Sequence, residues 1–351
     1  MTQTTLAARL PPLPAQPRDV PWPTAEWPMG RPQADPAVLD ALLAEAFEGD
    51  PAGPMGETHG VVVIQGGRLV LERYGTDYGP DVTCRSWSMA KSITQVLVGL
   101  TVGDGRLDIH APANILVWNA PGDPRGAITL DQLLRMSSGL AWIEDYVPGH
   151  VSDVVEMLSG AGKDDMGAFA AAKPLEHAPG SYFYYSSGTT NIIARRLAEA
   201  IGATGDRFAA FMRERLFEPL GMRSPQPRFD AAGTFIGSSY CFCTPRDFAR
   251  FGLFCLRDGI WEGRRLLPEG WIDYARTPTY QQPGGGDDGP YGAHWWLDRW
   301  GPGSFAAIGY EGQHIVLRPD LDLVVVRNGV TPYDTRMAIK DWVVRLVQAF
   351  G

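Results

Sequence analysis

The sequence predicts an α/β (α+β) protein in which both ends of the chain build one lobe and a mostly helical lobe is inserted between them. Apolar runs typical of strands occur at 59–75 and again at 314–326, far apart in the chain. The long stretch between them has the apolar spacing of helices, and further helical patterns lie at 35–47 and 335–350. An antiparallel sheet flanked by terminal helices fits this distribution.

The N-terminal part begins with an arm rather than a helix. Prolines recur from 11 to 36 and predict an extended conformation, because proline fixes φ and removes an amide donor. Trp22 and Trp27 indicate that this arm lies across the globular body. After the first helix, 59–75 has the pattern of a β-hairpin with a glycine-containing turn.

The middle of the chain is predicted to be helical over 131–136, 189–201 and 206–217. Thr129 and Gln132 have the spacing of a capping box before the first of these helices. We therefore expect three parts forming one catalytic unit: an arm over 1–36, an α/β lobe over 37–120 and 290–351, and a helical lobe over 121–289. The active site is expected in the cleft between the lobes, where ligand pockets commonly form.

Composition restricts the partners. Hydrophobic residues make up 44% of the chain and charged residues 20%, as in ordinary globular proteins, and the net charge is −9. The negative charge argues against nucleic acid or an anionic membrane as partner. We see no secretory signal and no transmembrane stretch. The cysteines, which are Cys84, Cys241, Cys243 and Cys255, form no disulfide framework and no convincing metal-binding pattern. We expect a cytoplasmic protein without metal, while its oligomeric state stays open.

The segment Ser88-Met89-Ala90-Lys91 carries the first chemical signal. Apolar residues recur behind it at helical spacing, so Ser88 is predicted in the first turn of a buried helix. Lys91 then lies on the same face and can reach the Ser88 hydroxyl. Burial and the helix N-terminus disfavour a charged lysine, which allows Lys91 to act as a base. The Ser88 amide at the helix start suits an oxyanion hole.

S-x-x-K alone is common, and a solvated lysine near a serine is its ordinary interpretation. Trp87 and the buried stripe favour a partly buried lysine here. A second element, Tyr185 followed by Ser187, matches Y-x-S at a turn that leads into a helix, where a tyrosine can relay protons. Aromatic packing is the alternative for this cluster. No G-x-S-x-G or H-E-x-x-H segment is present, and a Ser-His-Asp triad stays open without a pattern to support it.

Several further segments accompany these two elements, and together they are highly specific. In chain order they are 88–92, 105–108, 128–140, 179–180 with 185–187, 216–222 and 244–247. Over about residues 55–350 the sequence resembles the serine β-lactamase-like superfamily. This superfamily includes penicillin-binding proteins, class C β-lactamases, family VIII carboxylesterases and nylon-oligomer (6-aminohexanoate-dimer) hydrolases. The nearest resemblance is to the nylon-oligomer hydrolase branch, through Ser-Met-Ala-Lys-Ser, Arg-Met-Ser-Ser-Gly-Leu with the segment ending at Tyr146, and a late Gly-x-x-Gly-Gln.

The resemblance implies a β-lactamase/transpeptidase-like fold and a cofactor-free site. Its catalytic residues would be Ser88, Lys91 and Tyr185, with the amides of Ser88 and Tyr310 as oxyanion hole. The substrate-binding residues that it implies are Tyr146, Ser187, Trp295, Trp296, Gly309 and Glu311. Packing is an equally good role for Tyr146, and core packing is expected for at least one of the two tryptophans.

The third element of the superfamily is usually Lys-Thr-Gly or His-x-Gly, and here the matching stretch, 308–313, has neither Lys nor His. This departure weakens the case for recognition of a penicillin carboxylate. We therefore expect a serine hydrolase that acts on small-molecule esters or amides through an acyl-enzyme, with the choice between the two open. A β-lactamase or D,D-peptidase and a non-catalytic binding protein on the same scaffold are the alternatives.

Overall fold

The computed structural model describes residues 10–147, 149–279 and 289–351. Its helices are α1 (Pro36–Phe47), α2 (Met89–Gly103), α3 (Leu130–Leu134), α4 (Asp153–Ser159), α5 (Met166–Ala171), α6 (Ser187–Ile201), α7 (Asp206–Met212), α8 (Pro245–Leu256), α9 (Trp271–Ala275) and α10 (Arg336–Gln348). Its strands are β1 (Glu57–Gln65), β2 (Arg68–Tyr74), β3 (Gln226–Pro227), β4 (Cys241–Phe242), β5 (Ile260–Trp261), β6 (Arg264–Arg265), β7 (Trp296–Leu297), β8 (Phe305–Gly309), β9 (Gln313–Arg318) and β10 (Leu323–Val330). A π-helical turn, Arg213–Phe217, continues α7.

The two chain ends meet in one six-stranded antiparallel sheet. Its strand order is β2-β1-β10-β9-β8-β7, so the first hairpin pairs directly with the last strand. Gly66 and Gly67 both have positive φ, which is what the tight turn between β1 and β2 requires. The predicted fold class is thus confirmed, with both strand pairs at their expected places.

Both faces of the sheet are covered, and the pleat decides which residue faces which layer. Val61 and Val63 of β1 pack with α1 and α10, whereas Val62 and Ile64 point into the larger core with α2 and α8. All four side chains are fully buried. Burying each one stabilises the fold by about 1.5–3 kcal/mol. Sheet and helices therefore form three layers, with α1 and α10 outermost on one side.

The helix α8 departs from the expected division of the chain. It falls within the stretch assigned to the helical lobe, yet it packs on the sheet: a Cβ on Gly252 would lie 2.7 Å from the Val324 side chain. The apolar face of α8 identifies an amphipathic helix, but periodicity does not show which surface covers that face.

The remaining helices bring α2 and α6 together. The capping box at the start of α3 is confirmed, since the Thr129 and Gln132 side chains accept from each other's backbone amides at 3.2 and 2.9 Å. The N-terminal arm crosses the body, where Arg250 donates to the Pro23 carbonyl at 2.8 Å and Trp22 contacts Trp261. Within the described residues, no helix combines the length and apolar character needed to cross a membrane.

Candidate active site

Ser88 stands at the N-terminal end of α2, just outside the buried part of that helix. The preceding residue, Trp87, has φ +43, a left-handed conformation that turns the chain sharply into the helix. From Met89 to Thr101 every residue of α2 is buried, whereas Ser88 is half-buried. The Ser88 amide is one of the helix-start donors that have no partner within the helix.

Lys91 lies beneath Ser88 and is only 2% exposed. Its Nζ lies 2.9 Å from each of three oxygens: Ser88 Oγ, Ser187 Oγ and the Ser238 carbonyl. Burial lowers the pKa of Lys91 from 10.5 to about 8, against the opposing effect of the Glu144 charge. An amine with this pKa is neutral often enough near neutral pH to accept a proton from Ser88.

Tyr185 reaches the same place from the turn before α6. The Nζ of Lys91 lies 4.8 Å from the centre of the Tyr185 ring, and that ring contacts Trp296 and Tyr291. The turn is held by Ser186, whose hydroxyl caps α6 by accepting from a backbone amide at 3.0 Å. The structure thus brings together Ser88, Lys91 and Tyr185, which lie up to 97 positions apart (185 − 88) in the chain.

The end of β8 closely approaches the turn that precedes Ser88. A Cβ on Gly309 would lie 2.4 Å from the Ser86 carbonyl oxygen and 3.0 Å from Trp87 Cβ. Glycine is therefore required for this approach. The following residue, Tyr310, contacts Trp87, with 5.5 Å between ring centres. Two backbone amides converging on one point are what an oxyanion hole needs.

The side chain of Glu311 has a different partner from the one expected. Its carboxylate accepts a hydrogen bond from Trp87 Nε1 at 2.6 Å, instead of being free to contact substrate. Glu311 has φ +63, so both partners have left-handed backbones. Trp87 precedes Ser88 and Glu311 follows Tyr310. Their bond therefore joins the two segments that carry the expected oxyanion donors.

A buried arginine supports the β8–β9 turn from behind. Arg327 is fully buried and donates to the carbonyls of Glu311 and Gly312 at 3.0 and 3.1 Å. Gln313 adds a bond to the Tyr310 carbonyl at 3.2 Å. Burial lowers the pKa of Arg327 to about 9, which still leaves it charged at neutral pH. A fixed cation thus holds this turn by its carbonyl oxygens.

Glu144 is a member of the site that the sequence reasoning missed. Its carboxylate accepts four hydrogen bonds, from Trp142 Nε1 (2.6 Å), Tyr146 OH (2.7 Å), the Ser187 amide (2.8 Å) and Ser187 Oγ (2.5 Å). One signal could have found it. Trp142, Glu144 and Tyr146 have the alternate spacing that places side chains on one side of an extended segment. The predicted substrate-binding residue Ser187 thus bridges Glu144 and Lys91.

Tyr146, which the resemblance implied as a substrate-binding residue, lies between Glu144 and Tyr310. Its ring stacks on that of Tyr310, with 5.2 Å between ring centres. Burial, with the nearby Glu144 charge, raises the pKa of Tyr146 well above its usual value of 10, so the phenol stays protonated. The hydroxyl donates to Glu144, and the ring packs against Tyr310.

The two adjacent tryptophans have different positions. Trp295 is fully buried between Phe251 and Phe305, with ring centres 6.2 and 5.2 Å away, so it belongs to the core and not to the pocket wall. Trp296 is half-buried and contacts the Tyr185 ring at 5.4 Å. Successive side chains of an extended segment point to opposite sides, which explains the difference.

Comparisons with known proteins identify the family of this chain. The family described as Beta-lactamase matches residues 43–349. The 6-aminohexanoate-dimer hydrolase of Paenarthrobacter ureafaciens is 26% identical over 320 residues, which are 86% of this chain and 81% of that protein.

Solved structures share the fold. A putative 6-aminohexanoate-dimer hydrolase from Bacillus anthracis has a TM-score of 0.74 at 19% identity, covering 97% of this chain and 91% of that one. A penicillin-binding protein from Bacillus halodurans has a TM-score of 0.62 at 17% identity, covering 81% and 96%. Since the family match spans most of the residues, the chain belongs to the β-lactamase family of hydrolases.

Proposed function

We propose that this protein is a serine hydrolase that cleaves carboxylic ester or amide bonds through an acyl-enzyme. Ser88 is the nucleophile, Lys91 its base and Tyr185 the proton relay. The observation that carries the proposal is the 2.9 Å contact between Lys91 Nζ and Ser88 Oγ, made by a buried lysine whose pKa falls to about 8.

The reaction has two halves. In the first, Lys91 takes the Ser88 proton while Oγ attacks the carbonyl carbon, and the amides of Ser88 and Tyr310 stabilise the oxyanion. The proton then passes from Lys91 through Tyr185 to the leaving oxygen or nitrogen, and the ester or amide bond breaks. In the second half, water attacks the acyl-enzyme, the acid is released, and the proton returns to Ser88 through Lys91. No metal or organic cofactor has a role in this scheme.

The substrate class follows from the walls of the site and from the relatives. Tyr146, Tyr310 and Trp296 offer aromatic surfaces, and the 309–313 turn supplies neither Lys nor His for a substrate carboxylate. Acyl groups with a linear apolar chain suit these walls. The relative named 6-aminohexanoate-dimer hydrolase supports the cleavage of an amide bond. We also propose a cytoplasmic location, which the four free and buried cysteines support.

A β-lactamase or D,D-peptidase is the second candidate, favoured by the family match and by the likeness to a penicillin-binding protein. The missing Lys or His near Tyr310 counts against it. A non-catalytic binding protein on the same scaffold would not need Ser88 and Lys91 in hydrogen-bond contact.

A substrate panel tests these candidates. It comprises p-nitrophenyl acetate and butyrate, the 6-aminohexanoate dimer and nitrocefin, each with the wild type and Ser88→Ala, together with labelling by a fluorophosphonate probe. We expect ester hydrolysis and labelling that Ser88→Ala abolishes, with slow or no nitrocefin turnover. Activity unchanged by Ser88→Ala would contradict the nucleophile, dominant nitrocefin turnover would favour a β-lactamase, and a wild type silent in every assay would favour the binding protein.

A further inference from the structure

Lys91, the proposed base, is connected through hydrogen bonds to the carboxylate of Glu144, which Tyr146 also contacts. Lys91 Nζ lies 2.9 Å from Ser187 Oγ, which in turn lies 2.5 Å from Glu144 Oε1. The hydroxyl of Tyr146 donates to the same carboxylate oxygen at 2.7 Å. The three bonds form a continuous series from Lys91 to Tyr146.

The direction of each bond in this series is fixed by the count of hydrogens. Ser187 has one hydroxyl hydrogen, and Glu144, as a carboxylate, can only accept it. Ser187 Oγ must then accept from Lys91. A neutral Lys91 has two N–H hydrogens and one lone pair. One hydrogen goes to Ser187 and the other to the Ser238 carbonyl. The lone pair is left facing Ser88 Oγ, which is where a base must present it.

The surroundings of Glu144 match an ionised carboxylate. All four of its partners are donors, which are Trp142 Nε1, Tyr146 OH, the Ser187 amide and Ser187 Oγ. A protonated acid would turn its own hydrogen towards one of these donors. The charge of Glu144 acts on Lys91 in favour of the ammonium form, against the larger effect of burial.

We propose that Glu144 is the positioning residue of the base. It orients the Ser187 hydroxyl so that the lone pair of neutral Lys91 faces Ser88, and its charge sets the pH range over which Lys91 can accept a proton. The inference rests on the proposed function, in which Lys91 is that base.

The other titratable groups around Lys91 act differently. Tyr185, from the turn before α6, presents its ring to Nζ. Tyr146 stays protonated because its pKa is raised. His294, from the segment before β7, is buried, and burial lowers its pKa to about 3, so it is neutral throughout the working range. Glu144 is the group whose charge opposes burial in setting the Lys91 pKa.

The test is the pH dependence of kcat/KM for p-nitrophenyl butyrate. Because the neutral amine is the active form, wild-type activity should rise with pH through the Lys91 pKa, at about 8. Glu144→Gln removes the charge that favours the ammonium, so the rise should move to lower pH by about one unit. Its amide NH₂ can also donate to Ser187, which reverses that hydroxyl and engages the Lys91 lone pair. The plateau kcat should therefore fall about tenfold with little change in KM.

A matched control is available next to Glu144. Asp145→Asn removes a carboxylate from the same loop, but that carboxylate lies 2.8 Å from His150 Nδ1 instead of facing the lysine. Its pH profile should match that of the wild type. Ser187→Ala keeps the charge of Glu144 but removes one hydrogen-bond acceptor of the Lys91 ammonium. The rise of kcat/KM in this variant should therefore also move to lower pH, but by less than in Glu144→Gln.

The outcomes separate this inference from the proposed function. Thermal unfolding shows whether Glu144→Gln is folded. If the variant is folded and has the wild-type pH profile, the inference is overturned. If Glu144→Gln does not fold, Ser187→Ala decides, and a wild-type profile there has the same meaning. Ester hydrolysis that persists in Ser88→Ala, or is absent from the wild type, would instead remove the proposed function.

Discussion

The two sides of Ser88 are built on different principles. On the base side, the proposed chemistry depends on side chains from α2, α6 and the 142–146 segment, and Lys91 makes three bonds of equal length there. On the oxyanion side, the expected donor is a backbone amide at Tyr310, which every residue type except proline could supply. Side-chain identity matters on that side only because it positions the backbone, through the absence of a Cβ at Gly309 and the hydrogen bond from Trp87 to Glu311. Substitutions on the base side should therefore remove a reacting group. Substitutions on the oxyanion side should instead displace the backbone amide that donates to the oxyanion.

The largest effect is expected on the base side. Lys91→Ala removes the only group within hydrogen-bond distance of Ser88 Oγ that we assign as a base, so kcat for p-nitrophenyl butyrate should fall by about 10²–10⁴-fold. Lys163→Ala, at an exposed lysine, should keep the wild-type rate. Steady-state kinetics of both variants measure this, and a Lys91→Ala enzyme within a factor of a few of the wild type would mean that another group takes the proton.

A smaller loss is expected where the oxyanion side meets the nucleophile. Gly309→Ala places a Cβ 2.4 Å from the Ser86 carbonyl oxygen, so β8 or the Ser88 turn must shift. Displacement of a reacting group by about 1 Å can cost about 10²-fold in rate. Gly79→Ala is the matched control, because a Cβ there meets nothing within 4 Å. Gly309→Ala should lower both the rate of fluorophosphonate labelling and the midpoint temperature of thermal unfolding. An unchanged labelling rate would contradict the close approach.

A second contrast, between local patterns and contacts of distant residues, explains what could be predicted from the sequence. The β1–β2 hairpin, the terminal helices and the Ser88, Lys91 and Tyr185 elements are local patterns, in which neighbouring residues carry the signal. The alternate spacing of 142, 144 and 146 could have pointed to Glu144 but not to its role, because that role depends on Ser187, 43 positions away, and on the direction of a single hydroxyl. Trp295 and Trp296 are chemically identical, and only the register of their segment decides which one reaches the cleft. The surface on which α8 packs could not be predicted either, because its apolar face fits a sheet or another helix equally well.

The smallest effect is expected at the bond that joins the two sides. Glu311→Ala frees Trp87 and relaxes the positions of the Ser88 and Tyr310 amides, so kcat should fall about tenfold, less than the 10²–10³-fold loss that follows removal of an oxyanion donor. Trp87→Phe should cause a similar loss, and the double variant should be no worse than either single one, because both remove one hydrogen bond. Glu311→Gln retains an oxygen that can accept from Trp87 Nε1 and should restore most of the rate.

Additive losses in this cycle, measured as kcat for p-nitrophenyl butyrate, would show that the two residues act separately. A rise in KM with unchanged kcat for Glu311→Ala would return Glu311 to the substrate-contacting role expected from the sequence.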